Sequence, residues 1–273
     1  MKKKLLATLL ISTTIAGAGV QVFAADQTAT SPASVSFVEN DGTTDPVDPE
    51  NPDPTDPITP VDPTDPTKPL PPTGNKGPLS LDFASAFYFG EQKITSAAGD
   101  YKAAAQLVQE KDETFTETTN YVQVTDNRGD VAKGWTLSVK QNGQFVTESK
   151  KELTGSELKF ADANGNSIGD LALSPTVTKD FSLVPDAEQE IAKAENGNGS
   201  GTWVIRFGQD STLADKNTVT GKYNDETKKV NSEVTLGVPA GTQRLKETYK
   251  TSLTWTLKDV PGDNTGEPEE PEA

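Results

Sequence analysis

An all-β fold, an antiparallel β-sandwich preceded by a disordered Pro/Asp-rich linker, is predicted by three observations. Short runs rich in β-branched and aromatic residues recur between residues 81 and 258. Clusters of Asn, Gly and Asp separate them, as turns require. No long helical crossover stands between successive runs to carry the chain from one parallel strand to the next, which leaves antiparallel pairing.

Residues 1–24 read as a secretory signal peptide. Lys2, Lys3 and Lys4 form its basic start, LLATLLISTTIAGAGV its apolar core, and Val22-Phe23-Ala24 a cleavage site. That core is too short and too rich in small residues for a membrane span, and nothing later in the sequence is apolar enough to be one, so no transmembrane segment is expected in the mature chain. Residues 25–77 read as a disordered spacer. Within it, prolines 46, 49 and 52, then 57, 60, 63, 66 and 69, recur every third residue, the repeat of polyproline II, so they line one ridge. Alternating Asp adds self-repulsion, and so few apolar residues are expected to leave the segment extended.

The predicted β domain spans 78–260, enough chain for one substantial core. Its expected strands are LDFASAFYFG (81–90), YVQVT (121–125), GWTLSVK (134–140), ELKF (157–160), FSLV (181–184), GTWVIRF (201–207), SEVTLGV (232–238) and YKTSLTWTLK (249–258). NRGD, QNGQ, NGNS and NGNGSG supply turns between them. DYKAAAQLVQEKD (100–112) is the one stretch that reads as a helix. Residues 261–273, with five acids and no base, read as a disordered acidic tail.

Composition removes several chemistries. Neither cysteine nor histidine is present, which excludes disulfides, thiolate nucleophiles, imidazole bases and ordinary zinc sites. Carboxylate-only catalysis and oxygen-ligated calcium survive. The net charge is −16, and loss of the leader lysines makes the mature chain more acidic still. Residues 26–77 hold ten acids against two lysines, so much of this charge lies outside the β domain. No nucleic acid is expected as a partner, since phosphate recognition needs positive patches.

Two expected strands share a triplet, Trp135-Thr136-Leu137 and Trp255-Thr256-Leu257. With a period of two, each Trp shares a face with its Leu while the Thr faces the other way. The plain reading is a half-buried strand whose indole fills the core. The pieces LDFASAFYFG, YVQVTDNRGDVAKGWTLSV, GNGSGTW and LGVPAGTQRLKETYKTSLTWTLKDVP, in this order, resemble the WxL domain of surface proteins from low-GC Gram-positive bacteria. The resemblance covers roughly residues 78–260. It implies a secreted protein associated non-covalently with the cell wall, with peptidoglycan as the wall partner. It also implies membrane-anchored surface proteins as co-workers and a role in adhesion, for which host matrix is a further candidate partner. Trp135, Leu137, Trp255 and Leu257 are accordingly the candidate wall-binding residues, and the two indoles are expected to lie close enough to act as one feature, in the core or on a sugar-stacking surface. No catalytic residue, no metal and no cofactor is expected.

Other motifs read as less than they spell. Leu70-Pro71-Pro72-Thr73-Gly74 matches the sortase pentapeptide LPxTG, but most of the chain follows it, and cleavage there would discard the β domain. Arg128-Gly129-Asp130 spells an integrin tripeptide within an inter-strand turn. DANGNSIGDLAL (162–173) starts like a calcium loop, yet has Ser167 and Leu173 where such a loop needs Gly and Glu; a hairpin turn suits it better. NGNGSG precedes Trp203 rather than a helix, against phosphate binding. Lys150-Lys151 and Lys228-Lys229 read as solvated strand ends that could touch anionic wall polymers. Three functions follow: a wall-binding surface module, a scaffold or adhesin held at the surface through a membrane-anchored partner, and a carboxylate-only glycan-processing enzyme.

Overall fold

The computed structural model describes residues 28–129, 134–195, 197–218 and 221–260. The segments expected as leader (1–24) and acidic tail (261–273), Asp130 of the Arg-Gly-Asp triplet and Asn196 of the glycine-rich turn lie outside the described residues. Residues up to Ser36 belong to a first unit, whose described part, 28–36, carries no regular secondary structure. The strands all belong to the second unit, which starts at Phe37. No helix among the described residues is long and apolar enough to cross a membrane.

The strands are β1 (Thr59–Asp62), β2 (Asp65–Pro69), β3 (Leu79–Ala84), β4 (Gly99–Ala104), β5 (Gln106–Gln109), β6 (Phe115–Thr118), β7 (Tyr121–Asp126), β8 (Trp135–Gln141), β9 (Glu157–Phe160), β10 (Ala163–Asn166), β11 (Thr176–Val177), β12 (Phe181–Leu183), β13 (Glu188–Ala194), β14 (Gly201–Phe207), β15 (Leu213–Asp215), β16 (Lys229–Val238) and β17 (Leu253–Asp259). Every described pairing is antiparallel. The expected all-β antiparallel class is therefore the observed one.

A central sheet runs β10-β14-β7-β3, and a second, motif-bearing sheet runs β11-β13-β8-β17. β17 lies against β3 and β11 against β10, so the two sheets are stacked. Alternation supplies the core between them. Leu81, Val124, Trp203 and Ile205 come from the central sheet, and Trp135, Leu137, Val139 and Ile191 from the motif sheet. A third sheet, β12-β9-β16-β15 with β4 also paired to β16, adds Leu158, Phe160, Leu183 and Val234 to the same core. Phe160 is its aromatic hub, with ring centroids 4.8 Å from Phe207, 4.9 Å from Phe181 and 5.3 Å from Phe87.

The spacer expectation is revised for residues 46–70. β1 and β2 pair with each other, and β1 pairs with β5, in a sheet ordered β2-β1-β5-β6. Pro46, Pro49, Pro52, Pro60 and Pro63 are buried, so much of the three-residue proline ridge faces protein. Val47 packs on the other face of the central sheet with Phe83, Tyr121 and Val204, joined by Ile58 and Leu70. The Val47 N–H donates to Gln123 Oε1 at 2.9 Å, and Gln123 Nε2 donates to the Asp45 carbonyl at 3.0 Å. With Val122 and Val124 in the main core on the opposite face, all six residues of β7 are buried. Prolines have no N–H that needs an acceptor and lose little entropy on docking, which lets an apolar-poor segment order. The aspartates stay outside and cap their own turns: Asp53, Asp62 and Asp65 each accept from the threonine two residues on. Residues 28–41 remain exposed and without strands, as a spacer would.

The helix expected over 100–112 is also corrected. Its residues form β4 and β5. Ala103, Ala104 and Ala105 are at most 1% exposed; they are small where chain segments approach closely, which overrides the helix propensity of alanine.

Candidate functional site

The two Trp-x-Leu triplets become neighbours. β8 and β17 are adjacent, with Leu137 opposite Leu257, Val139 opposite Trp255 and Trp135 opposite Asp259. Directly opposed residues share a face, so both indoles and both leucines point inward, while Thr136 and Thr256 do not. The leucines meet in the middle. The indoles are offset by four residues along the strands, about 13 Å. They lie on one face, as the phasing predicts, but form two separate features rather than one.

Trp135 is wholly core, at 0% exposure. Its Nε1–H donates to the Gly199 carbonyl at 3.1 Å. Gly199 has φ +75°, and a Cβ there would lie 2.7 Å from Trp135 Nε1 and closer still to Ala194 Cβ. The glycine-rich turn is thus a cover for Trp135, and Trp203, also buried, donates to the Ser200 carbonyl at 2.9 Å. Leu137 is fully buried as well. Neither Trp135 nor Leu137 can reach a ligand in this state.

Trp255 is different. It is part-buried, its ring stacking on Phe207 at 6.3 Å with planes 29° apart. Its remaining surface lines a groove of about 340 Å³. The groove runs between the start of β17, including Leu253, and the segment that follows β3. Phe87, Tyr88, Phe89 and Phe145 complete its aromatic lining. Leu257 is part-buried outside it.

The segment 84–90 is shaped by hydrogen bonds that replace strand pairing. Ser85 N–H donates to the Tyr121 carbonyl at 2.9 Å, and Tyr121 N–H donates to Ser85 Oγ at 3.0 Å. Ala104 N–H donates to the Tyr88 carbonyl at 2.7 Å. Gly90 has φ +67°, and a Cβ there would sit 2.9 Å from the Lys222 carbonyl and the Tyr223 ring. Tyr88 Oη donates to Asp62 Oδ2 at 3.3 Å, and burial, then the Asp62 charge, push its pKa up. No acidic or basic side chain lines the groove. It offers ring faces, a phenol, hydroxyls and main-chain groups, the chemistry of stacking and hydrogen bonding to a neutral sugar or peptide. Three consecutive aromatics, Phe87, Tyr88 and Phe89, break strand alternation, and that was the available sequence signal for this cradle.

A second, polar depression of about 250 Å³ lies on the motif sheet beside Thr136, Ser138, Glu188, Glu190 and Lys258. Lys258 Nζ pairs with Glu188 Oε1 at 2.7 Å; this bond and that from Ser138 lower the Glu188 pKa.

The remaining motifs have structural employment. Arg128 pairs with Asp126 at 2.7 Å and with Asp259, and donates to the Gly134 carbonyl at 2.9 Å. It joins the ends of β7 and β17 rather than offering itself to a receptor. Residues 163–166 are strand β10 rather than a turn. Asn164 Oδ1 accepts from Arg206 at 2.6 Å, and Asn166 Nδ2 donates to the Pro49 carbonyl at 2.8 Å. No group of three or more acidic side chains that could hold a metal ion occurs among the described residues. Lys150, Lys151 and Lys228 are exposed, and Lys229 opens β16.

A family model described as "WxL domain surface cell wall-binding" matches residues 24–261. Neither a curated protein nor a solved structure matches the chain.

Proposed function

Because this chain belongs to the WxL family of surface cell-wall-binding domains, we propose that it grips peptidoglycan glycan through the groove beside Trp255. A surface protein that binds the wall non-covalently needs a contact face, and of the four candidate residues Trp135, Leu137, Trp255 and Leu257, Trp255 alone lines the groove. That observation carries the reading. The surrounding aromatics suit the apolar faces of pyranose rings. The absence of charge in the lining suits a neutral polymer and supplies no carboxylate pair for hydrolysis, so the reading is of a binding module, not a glycan-processing enzyme. Adhesion follows as a consequence of display at the wall.

Retention of the leaderless chain on purified, protein-free sacculi tests this. Direct retention that changes little between ~50 and ~500 mM salt is expected, because stacking is poorly screened. Loss of binding to bare sacculi, restored by a membrane-anchored surface protein, would replace it with the scaffold reading. Release of muropeptides would replace it with the enzyme.

A further inference from the structure

β17 ends its sheet with an unpaired edge. Asn142 N–H bonds the Ser252 carbonyl and Val260 N–H bonds the Gly134 carbonyl. Within the β8–β17 register this phase turns the main-chain groups of Thr254, Thr256 and Lys258 toward β8. Those of Leu253, Trp255, Leu257 and Asp259 point away from it. Among the described residues no hydrogen bond reaches these four outward pairs. A seven-residue edge with part-buried Trp255 and Leu257 and no proline or bulge in its pairing is a template for another strand. Beyond Trp255 this edge lies outside the groove.

The chain also carries an unpaired strand-like segment. Val35, Phe37 and Val38 are 77%, 88% and 91% exposed, within residues 33–40, a stretch that has no secondary structure. Its alternation, Ser34-Val35-Ser36-Phe37, matches that of Thr254-Trp255-Thr256-Leu257. Laid beside β17, its serines fall next to the threonines, and Val35 and Phe37 next to Trp255 and Leu257.

We propose that residues 33–40 of one copy add as an antiparallel strand to the β17 edge of a second copy. The second copy is favoured over the chain's own arm by direction. The arm's root, Gly42, accepts from Gly77 N–H at 3.3 Å. Gly77 precedes β3, whose first residue pairs with Asp126, and Asp126 and Asp259 share Arg128. An arm rooted toward the Asp259 end would run parallel to its own β17, the less stable pairing; another copy's arm is free to approach antiparallel. Such β-strand addition uses main-chain hydrogen bonds for affinity and alternate side chains for register. If each copy donates to the other, the assembly closes as a dimer; if not, it grows as a chain. The arm meets the wall-binding groove at Trp255, where arm and glycan would exclude one another.

The cysteine-free sequence makes the test clean. Leaderless Ser36→Cys chain is mixed under oxidising conditions with tagged chain carrying Thr254→Cys, Thr256→Cys or Lys258→Cys, positions that would face non-hydrogen-bonded partners across the new edge. Light scattering on the cysteine-free chain is run in parallel, with a form lacking residues 33–40. The proposal expects a mixed disulfide dimer in at least one combination, a mass above one chain by scattering, and a monomer once the arm is removed. A monomeric full chain with no mixed disulfide overturns it. So does assembly that survives loss of the arm, which would point to edge-to-edge pairing of β17. An intramolecular disulfide in a monomeric Ser36→Cys/Thr256→Cys chain overturns the second copy in favour of the chain's own arm.

Discussion

The main-chain N–H of Thr73 donates to the main-chain carbonyl of Asp82 at 2.8 Å, and the Thr73 hydroxyl donates to the Leu81 carbonyl. Leu70 packs on the Phe83–Tyr121 cluster. The sortase-like pentapeptide is thereby laid on β3, its threonine held by the strand it would have to leave. A transpeptidase needs that segment extended and free. We expect protein extracted from cells to be uncut at Thr73 by mass spectrometry, and chaotrope to strip it from the wall. A Thr73 cross-link to wall peptide would contradict the non-covalent attachment.

Trp135 and Trp255 should separate when changed singly. Trp135→Ala empties a closed core site and orphans the Gly199 carbonyl, at a cost of about 3–5 kcal/mol. In a domain of this size that lowers the melting temperature on the order of 10 °C. Trp255→Ala keeps the core around Trp135, so a smaller melting change with a marked loss of sacculus retention is expected. Thermal melts beside sacculus pull-downs decide it. If Trp255→Ala retains wall binding, the groove is not the contact.

Much of this was legible, for reasons that particular residues show. Glu157–Phe160 and Gly201–Phe207 are strands with the boundaries their composition gives, because one face of each is core. The triplets' shared face followed from period two alone. The proline period of 46–69 was readable, but its sign was not. A three-residue ridge looks the same whether it faces water or Tyr121, and only the partner face decides. The groove was hidden because its pieces, 84–89, 145 and 251–255, are far apart in sequence and are brought together by β3–β17 contact. Trp135's burial likewise depends on Gly199, supplied by a turn that reads locally as a mere connector.

Removing the proline segment tests its revised role. A fragment of residues 78–260 lacks β1, β2, Val47 and Leu70, and uncovers Phe83, Tyr121 and Val204. At about 1.5–3 kcal/mol for each large side chain, the apolar burial lost is about 5 kcal/mol, offset in part by the entropy the segment regains. Denaturant titration should show a lower midpoint than for a fragment starting at Gly42. That second fragment loses, among the described residues, only exposed ones, and at a concentration too low for assembly it should match the leaderless chain. Equal stability of both fragments would return residues 46–70 to the role of a spacer.

Asp82 gives the fold a pH signature. It is 2% exposed and sits beneath the proline segment. Burial pushes its carboxyl up to about 6, against the opposing bonds from Ser80 Oγ at 2.5 Å, Thr125 Oγ1 at 2.6 Å and Gln123 Nε2 at 3.1 Å. An unfolded aspartate titrates near ~4. Between these values the folded chain keeps a proton that the unfolded chain has released, so this group's contribution falls as pH rises from ~4 to ~6, by about 3 kcal/mol in all, and stays low above that. Asp82→Asn removes the titration and keeps a hydrogen-bonding amide. The stability difference between Asp82→Asn and the parent should therefore shift in favour of the variant by that order between pH 4 and pH 7, measured by denaturant titration at each pH. A difference that does not change with pH would mean the carboxylate is ionised at no cost beneath the segment, and that water reaches it there.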